Sequence, residues 1–272
     1  MTSRAFSIIA SVLVGTTALV ASGCGGISGP VQPVVAASPI LLPVGAPTRG
    51  HRVIIMVVDT SHSMRRLETA CRTAAVNLAG AAALDSGRLE LGAAARRGYG
   101  GTVFVEPFSF TTHAKNTNLL RPELEGQLEA AKIRIDALDE LRVKPGSKGA
   151  GSDVTGMLSA AARRRATLPD GPNAPHDIVI CSDGELVRPE GGFPHGEITR
   201  RATRRIIATD RRHKLLPSLA GVRLWIVGPG QNPNRANERN VQIEQFWRRY
   251  GAATGAQTTV LPDPTQLALP SG

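Results

Sequence analysis

The chain is 272 residues long, which is enough for one large domain once a processed N-terminal segment is removed. Hydrophobic residues make up 42% of the sequence and aromatic residues 4%, so Ala, Val, Leu and Ile must fill the core. The formal net charge is +10, but the arginine clusters are scattered and lack the interleaved aromatic residues that single-strand nucleic-acid-binding proteins use. We therefore expect a soluble basic surface, or attraction to an anionic envelope, and no specific nucleic-acid partner.

Residues 1–23 have the features of a secretory signal peptide. Arg4 precedes a nearly uninterrupted small and apolar run, Ala5–Val20, which is shorter than the ~20 residues of a membrane-spanning helix. The ASGC that follows resembles the lipobox of bacterial lipoproteins, which are cleaved before the cysteine and acylated on it. We expect Cys24 to be the lipidated mature N-terminus, in the cell envelope and outside the cytoplasmic membrane. The alternative is an ordinary signal peptide that leaves Cys24 as a free thiol.

The segment 24–50 contains five prolines and shows no helical period, which predicts an extended, lipid-anchored tether. The alternative is an irregular arm that packs on the domain, because residues 39–44 are strongly apolar. We place the folded domain at 51–262 and a short C-terminal tail at 263–272.

From residue 51 onwards, apolar strand-like runs alternate with periodic helix-like segments. This alternation is typical of a doubly wound α/β fold, in which helices cover both faces of a mostly parallel sheet. Strands are predicted over 52–58 at the sheet centre, over 102–110, from 177, from 222 and around 258–261, with 115–120 as a hairpin edge strand. One helix is predicted to bury Met64, Leu67, Cys71, Ala74, Ala75 and Leu78. Further helices are predicted to begin at Pro122, to run from about Val154 to Ala166, and to pass through 241–250.

Small, oxygen-bearing residues follow the predicted central strand. Asp59, Ser61 and Ser63 come at alternate positions after it, Asp183 follows a later strand, and Ser152 lies in a glycine-rich loop before a helix. Because the carboxyl ends of parallel strands share one edge of a sheet, we expect these residues to gather there. Hydroxyl and carboxylate oxygens are the ligands that Mg²⁺ prefers. The pattern predicts a site for one divalent cation, Mg²⁺ or Mn²⁺.

These motifs, DTSHS, then GSD, then SDG, resemble the metal-ion-dependent adhesion site of the von Willebrand factor A domain family. The resemblance covers residues 51–262 and implies a doubly wound sheet with one antiparallel edge strand. It implies that Ser61 and Ser63 bind the ion directly, whereas Asp59 and Asp183 act mainly through water.

The same resemblance places Ser152 where the family usually has threonine, with Thr155 as a substitute. It implies a binding protein rather than an enzyme, in which a partner protein supplies an Asp or Glu that completes the ion's coordination. We expect replacement of Asp59 or Ser61 to abolish this binding and leave the fold intact, because residues at the rim lie outside the core.

Other readings of the same residues remain open at this stage. In a metal-free protein, Ser63 would cap the helix at Met64, and Ser152 or Asp153 would cap the helix at Val154. A Mg²⁺-dependent hydrolase is a second alternative, although three neighbouring residues such as Asp59, His62 and Ser63 are poorly placed to act as nucleophile, base and orienting group. A metal-independent polyanion-binding module is a third.

The remaining cysteines and histidines give weaker signals. Cys71 and Cys181 lie in predicted apolar segments and are either a disulfide pair or free buried thiols. The histidines show no metal-ligand spacing, and we interpret four of them as loop or surface residues: His113, His176, His195 and His213.

Overall fold

The computed structural model describes residues 52–94, 101–111, 117–138, 153–168, 176–187, 192–194, 196–231 and 237–269. The signal peptide, the tether, Ser152, His113 and His195 lie outside these residues. The strands are β1 (Val53–Asp59), β2 (Arg88–Ala94), β3 (Thr102–Phe104), β4 (Phe108–Ser109), β5 (His176–Cys181), β6 (Arg223–Val227) and β7 (Gln257–Leu261). The helices are α1 (Glu68–Leu84), α2 (Thr117–Ala137), α3 (Val154–Ala166), α4 (Arg200–Arg212) and α5 (Asn237–Thr254).

The sheet has seven strands and is mostly parallel. Strands β2, β1, β5, β6 and β7 run side by side in that order, and all of these pairings are parallel. The short strands β3 and β4 both pair with β2 in the antiparallel direction. The predicted doubly wound α/β fold with an antiparallel edge is therefore confirmed. No helix within the described ranges is long and apolar enough to cross a membrane.

Strand β1 is buried on both faces, which explains its uninterrupted apolar run. Alternate side chains of a strand point to opposite faces. Ile54 and Met56 accordingly join a core formed with α1 and α2, while Val53, Ile55 and Val57 join a second core formed with α3 and α5. The helical positions predicted to be buried between Met64 and Leu78 are all buried. Helix α2 buries Leu124, Leu128, Ala131 and Ile135 at the same helical spacing.

Two strand predictions near the antiparallel edge need correction. Strand β2 was not predicted, because its sequence RLELGAA carries two charges. Glu90 of β2 is fully buried, and its carboxylate pairs with Arg88 at 2.6 Å and Arg164 at 2.9 Å. The single strand predicted over 102–110 is two short strands, β3 and β4, separated by a segment that contains Pro107, which has no N–H to donate to a ladder.

The prediction of a hairpin strand over 115–120 is wrong where the structure describes it, because residues 117–120 form the first turn of α2. Pro122 therefore lies inside this helix and does not mark its start. The helix forms because its leucine-rich face packs against α1, and this tertiary packing outweighs the local preference of proline.

Helix α4 was also not predicted. Among its buried residues Ile206 is the only hydrophobic one, with Thr203 and Asp210, so its sequence shows little apolar periodicity. The interpretation of His176 as a loop or surface residue is wrong, because it begins β5 and is 1% exposed. His213 is exposed at the C-terminal end of α4, as expected.

A buried ionic cluster lies where β5 and β6 begin. The carboxylate of Asp177, which is fully buried, accepts hydrogen bonds from Arg52 Nε at 2.7 Å, Arg223 Nη2 at 2.8 Å and Trp225 Nε1 at 3.0 Å. Arg52 also contacts Asp85 at 3.4 Å. Both oxygens of Asp177 are thus satisfied by protein donors.

We expect Asp177→Ala to lower the free energy of unfolding by about 3–5 kcal/mol, because it leaves the buried guanidinium of Arg52 without its closest partner. Urea denaturation measures this loss. The control is Glu129→Gln, which removes an exposed partner of Lys132 and should change stability by less than about 1 kcal/mol. Equal effects of the two changes would contradict the structural role given to the buried cluster.

Candidate functional site

The predicted site residues of the described chain lie at the carboxyl edge of the sheet. β1 and β5 are adjacent parallel strands, with Val58 opposite Cys181, so the loops that follow them are neighbours. α3 precedes β5 and runs back across the sheet, so its first turn lies at the same edge. The topology therefore brings together the first loop, after β1, the third loop, after β5, and the start of α3 at Asp153.

Asp59 joins the first and third loops. It is 2% exposed, and its Oδ1 accepts a hydrogen bond from the backbone N–H of Ser61 at 2.8 Å. Its Oδ2 accepts from Ser182 Oγ at 2.9 Å, and Ser182 Oγ in turn accepts from the N–H of Gly184 at 3.1 Å. Sequence reasoning placed Ser182 at this edge but gave it no role. Its position directly before Asp183 was the only available signal.

The two serines after β1 face each other. The Oγ atoms of Ser61 and Ser63 are 3.1 Å apart, with Ser61 buried and Ser63 exposed. A 3₁₀ turn, His62–Arg66, begins after Ser61, whose side chain makes no capping hydrogen bond. The reading of Ser63 as an N-cap is therefore wrong, because Ser63 lies inside the turn.

Asp183 has one satisfied and one unsatisfied oxygen. The residue is 2% exposed, and its Oδ1 accepts from the N–H of Glu185 at 3.1 Å. Its own N–H donates to Met64 Sδ at 3.0 Å, which ties this loop to the 3₁₀ turn after β1. Asp183 Oδ2 is buried and has no hydrogen-bond partner among the described residues.

Asp153 caps α3, as the capping alternative predicted. Its Oδ1 accepts from the N–H of Gly156 at 2.9 Å and from Thr155 Oγ1 at 2.7 Å. Asp153 Oδ2 is a second buried carboxylate oxygen without a hydrogen-bond partner in the described part of the chain. Thr155 is fully buried and its hydroxyl donates to Asp153, so its role as a substitute for Ser152 stays a prediction.

The side-chain oxygens at the carboxyl edge are chemically suitable ligands for a hard cation. Every candidate ligand atom is a side-chain oxygen. A buried carboxylate oxygen that accepts no hydrogen bond is energetically costly unless a cation or water satisfies it. Within the described ranges no three His, Cys, Asp or Glu side chains converge as a metal-binding group. A site whose candidate ligands are serine hydroxyls and only two carboxylates, Asp59 and Asp183, would not contain such a group.

A disulfide lies directly behind the third loop. Cys71 of α1 and Cys181 of β5 are bonded, with their Cα atoms 6.0 Å apart and a sequence separation of 110 residues. Cys181 immediately precedes Ser182, so the bond fixes the base of this loop to α1. The question left open by the sequence is thus answered in favour of a disulfide.

The segment after Asp183 is held against α5. Trp247 Nε1, in a fully buried side chain, donates to the carbonyl of Gly184 at 2.8 Å. Further along, the guanidinium of Arg239 lies 3.5 Å from Glu185 and covers the ring of Phe193 at 5.5 Å. These contacts form one wall of an open groove beside the site, lined by Glu185, Leu186, Phe193, Glu238, Val241 and Gln242 among others.

No protein-family model matches the sequence, and no curated protein matches it. Among solved structures, the chain is similar to the pilus adhesin SpaC of Lactobacillus rhamnosus GG, at 13% identity and a TM-score of 0.42, over 79% of this chain and 28% of SpaC. It is similar to the conserved hypothetical protein BatB of Bacteroides thetaiotaomicron, at 17% identity and a TM-score of 0.43, over 79% of this chain and 91% of BatB.

A third similar structure is the pilus adhesin RrgA of Streptococcus pneumoniae, at 12% identity and a TM-score of 0.32, over 62% of this chain and 25% of RrgA. The chain thus spans less than a third of either adhesin. Likeness at this level carries no argument about function, and the fold class rests on the strand order and directions of this chain.

We expect replacement of both Cys71 and Cys181 by Ala to lower the free energy of unfolding by about 2–5 kcal/mol, because the bond closes a long loop in the unfolded chain. Chemical denaturation with and without a reductant measures the effect. Reduction should destabilise the wild-type protein and leave the double variant unchanged. Free thiols at both Cys71 and Cys181 in the denatured, unreduced wild-type protein would contradict this expectation.

Proposed function

We propose that the chain is a von Willebrand factor A-like domain that binds a protein partner through a divalent cation. The observation that carries the proposal is the buried Oδ2 of Asp183, which has no partner in the described chain and lies one residue from the Ser182–Asp59 hydrogen bond. A cation at the carboxyl edge would satisfy this oxygen. Mg²⁺ and Mn²⁺ are the ions that best suit an all-oxygen set of this kind.

The proposed ligands are Asp59, Ser61, Ser63, Ser152 and Asp183. Ser61 and Ser63 are suited to direct coordination, because their hydroxyls already face each other on one short turn. Asp59 is suited to hold the ion through water, because both of its oxygens accept hydrogen bonds from protein groups. Its negative charge then balances the ion without a direct bond.

Such a set would leave the ion able to accept one more ligand. The serine hydroxyls are neutral, and only the two carboxylates oppose the ion's charge. A carboxylate of a partner protein is the favoured ligand for a hard cation on a domain with a net positive charge. The groove beside Asp183 would contact the residues that flank this carboxylate. We propose binding rather than catalysis as the role of the site.

The proposal places the domain outside the cytoplasmic membrane, attached through a lipid on Cys24. The disulfide between Cys71 and Cys181 supports an exported location, because disulfides persist in oxidising compartments and are rare in the cytosol.

We expect the full chain to bind one Mn²⁺ or Mg²⁺ ion and Asp183→Asn to lose this binding. Asparagine keeps an oxygen that can accept from the N–H of Glu185 but removes the charge that the ion requires. Isothermal titration calorimetry measures the affinity. The matched control is Asp136→Asn, an exposed side chain on α2 that should leave the affinity unchanged. Absence of binding at millimolar metal, or undiminished binding by Asp183→Asn, would refute the site.

Asp59→Ala is a less selective test than the sequence suggested. Asp59 and Ser61 are buried, and removing the carboxylate leaves the Ser61 N–H and the Ser182 hydroxyl without their acceptor. We expect Asp59→Ala to abolish metal binding and also to lower stability by about 1–3 kcal/mol. The premise that these rim residues lie outside the core is wrong, because Asp59 and Ser61 are buried.

The lipid anchor has its own test. Cys24→Ala should release the protein from membranes washed at high salt into the soluble extracellular or periplasmic fraction, because the acylated residue is lost and the salt screens electrostatic contact with the bilayer. Membrane fractionation and the intact mass of the mature protein provide the measurements. Unchanged fractionation together with an unlipidated wild-type mass would show that Cys24 is not an anchor.

A further inference from the structure

Helix α4 presents a continuous face of arginine. At about 100° of rotation per residue, its arginines all fall within about 140° of the helix circumference. All six are exposed, and they are Arg200, Arg201, Arg204, Arg205, Arg211 and Arg212. Lys214 and His213 extend the basic surface past the C-terminal end of the helix, and both are exposed.

The opposite face of α4 is buried and holds the only acid of the helix. Thr203, Ile206 and Asp210 point into the protein. Asp210 is fully buried, and its Oδ2 accepts a hydrogen bond from Tyr250 at 2.8 Å. This carboxylate therefore does not face the arginines, and the exposed side of the helix carries positive charge alone.

These arginines differ from others in the same fold. Elsewhere, arginines form ion pairs with carboxylates, as Arg52, Arg72, Arg88, Arg134, Arg164, Arg223 and Arg239 do. In the described part of the chain no carboxylate lies within salt-bridge distance of any arginine of α4. Arg200 and Arg204, like Arg201 and Arg205, are like charges one turn apart, an arrangement that weakens an isolated helix.

We propose that this arginine face docks the domain on an anionic phospholipid bilayer. A guanidinium group can donate two parallel hydrogen bonds to the oxygens of one phosphate. An anionic phospholipid bilayer presents such phosphates in its headgroups. The exposed face is about 20 Å long, as expected for 13 residues, and it offers a row of cations to a planar surface. It contains no large apolar side chain, so contact is confined to headgroups and the helix does not insert.

A membrane fits this face better than a nucleic acid does. No aromatic side chain lies in α4, so the face offers no platform on which bases could stack. Because α4 connects two parallel strands, it runs roughly antiparallel to them. Docking along α4 therefore sets the strands roughly parallel to the membrane, with the carboxyl edge and Asp183 opening sideways. A partner in the same membrane could then reach the site.

The test uses the mature chain from residue 24 with Cys24→Ala, so that neither the signal peptide nor a lipid anchor contributes, and includes EDTA, so that the cation site plays no part. Cosedimentation with phosphatidylcholine vesicles that contain phosphatidylglycerol measures the affinity, and pure phosphatidylcholine vesicles give the baseline. We expect binding to the anionic vesicles only, weakening as salt is raised. Changing Arg200, Arg201, Arg204 and Arg205 to Gln should weaken it by about fivefold for each arginine that contacts the bilayer.

The control variant carries the same loss of four positive charges on the α1 and α2 side of the sheet, opposite α4: Arg66→Gln, Arg72→Gln, Lys132→Gln and Arg134→Gln. It should bind anionic vesicles nearly as well as the parent chain. Glutamine has a helix propensity close to that of arginine, and circular dichroism checks that both variants are folded. If the α4 variant does not fold, the pair Arg204→Gln and Arg205→Gln replaces it, with Lys132→Gln and Arg134→Gln on α2 as its control.

Three outcomes would overturn the proposal. Equal losses in the two variants would show that net charge alone drives binding. Equal binding to neutral and anionic vesicles would exclude recognition of headgroup charge. Binding to RNA or duplex DNA through α4 that is tighter than binding to vesicles, at the same salt concentration, would assign the face to nucleic acid instead. None of these results depends on whether Asp183 holds a cation.

Discussion

Burial of β1 on both faces is the constraint on which the rest of the structure depends. A strand in the middle of a parallel sheet has no free edge and no exposed face, so each polar residue that follows it emerges at a fixed place. Asp59, the last residue of β1, is held there by hydrogen bonds to the next loop and to Ser182 after β5. The register of β1 with β5 thus determines the geometry of the proposed site.

Buried carboxylates at the two ends of the sheet differ in how fully they are hydrogen-bonded. At the beginning of β5, Asp177 has three protein donors and both of its oxygens are satisfied. At the carboxyl edge, Asp183 and Asp153 each keep one buried oxygen that has no partner in the described chain. The first arrangement is typical of a cluster that stabilises the fold. The second leaves one oxygen of each carboxylate without a hydrogen-bond donor among the described residues, which is the physical basis for proposing that a cation binds there.

Much of the fold could be predicted because its central elements carry simple patterns. β1 is apolar without interruption, α3 was placed at its observed bounds, and the buried positions of α1 follow the helical period. β2 and α4 were missed because tertiary contacts stabilise charged residues that look exposed in the sequence. Glu90 is buried by pairing with two arginines, and α4 buries two polar residues beside a single isoleucine.

Part of the candidate site could also be predicted from simple patterns. Asp59, Ser61 and Ser63 lie at alternate positions in the sequence, and topology alone brings Asp183 to the same edge. The role of Ser182 depends on a hydrogen bond between residues 123 positions apart, which no local pattern reveals. Ser152 lies outside the described residues, so its part in the site stays a prediction.

The third loop is held from several sides, and this bears on how the site would work. The disulfide at Cys181 fixes its base, Met64 accepts its backbone N–H at Asp183, and Trp247 donates to the carbonyl of Gly184. A loop restrained in this way cannot easily turn the Oδ2 of Asp183 out to water. The oxygen is therefore presented in a fixed position whether or not a ligand is bound. Ligand binding at such a site requires little ordering of the protein, so more of the interaction energy remains available as affinity.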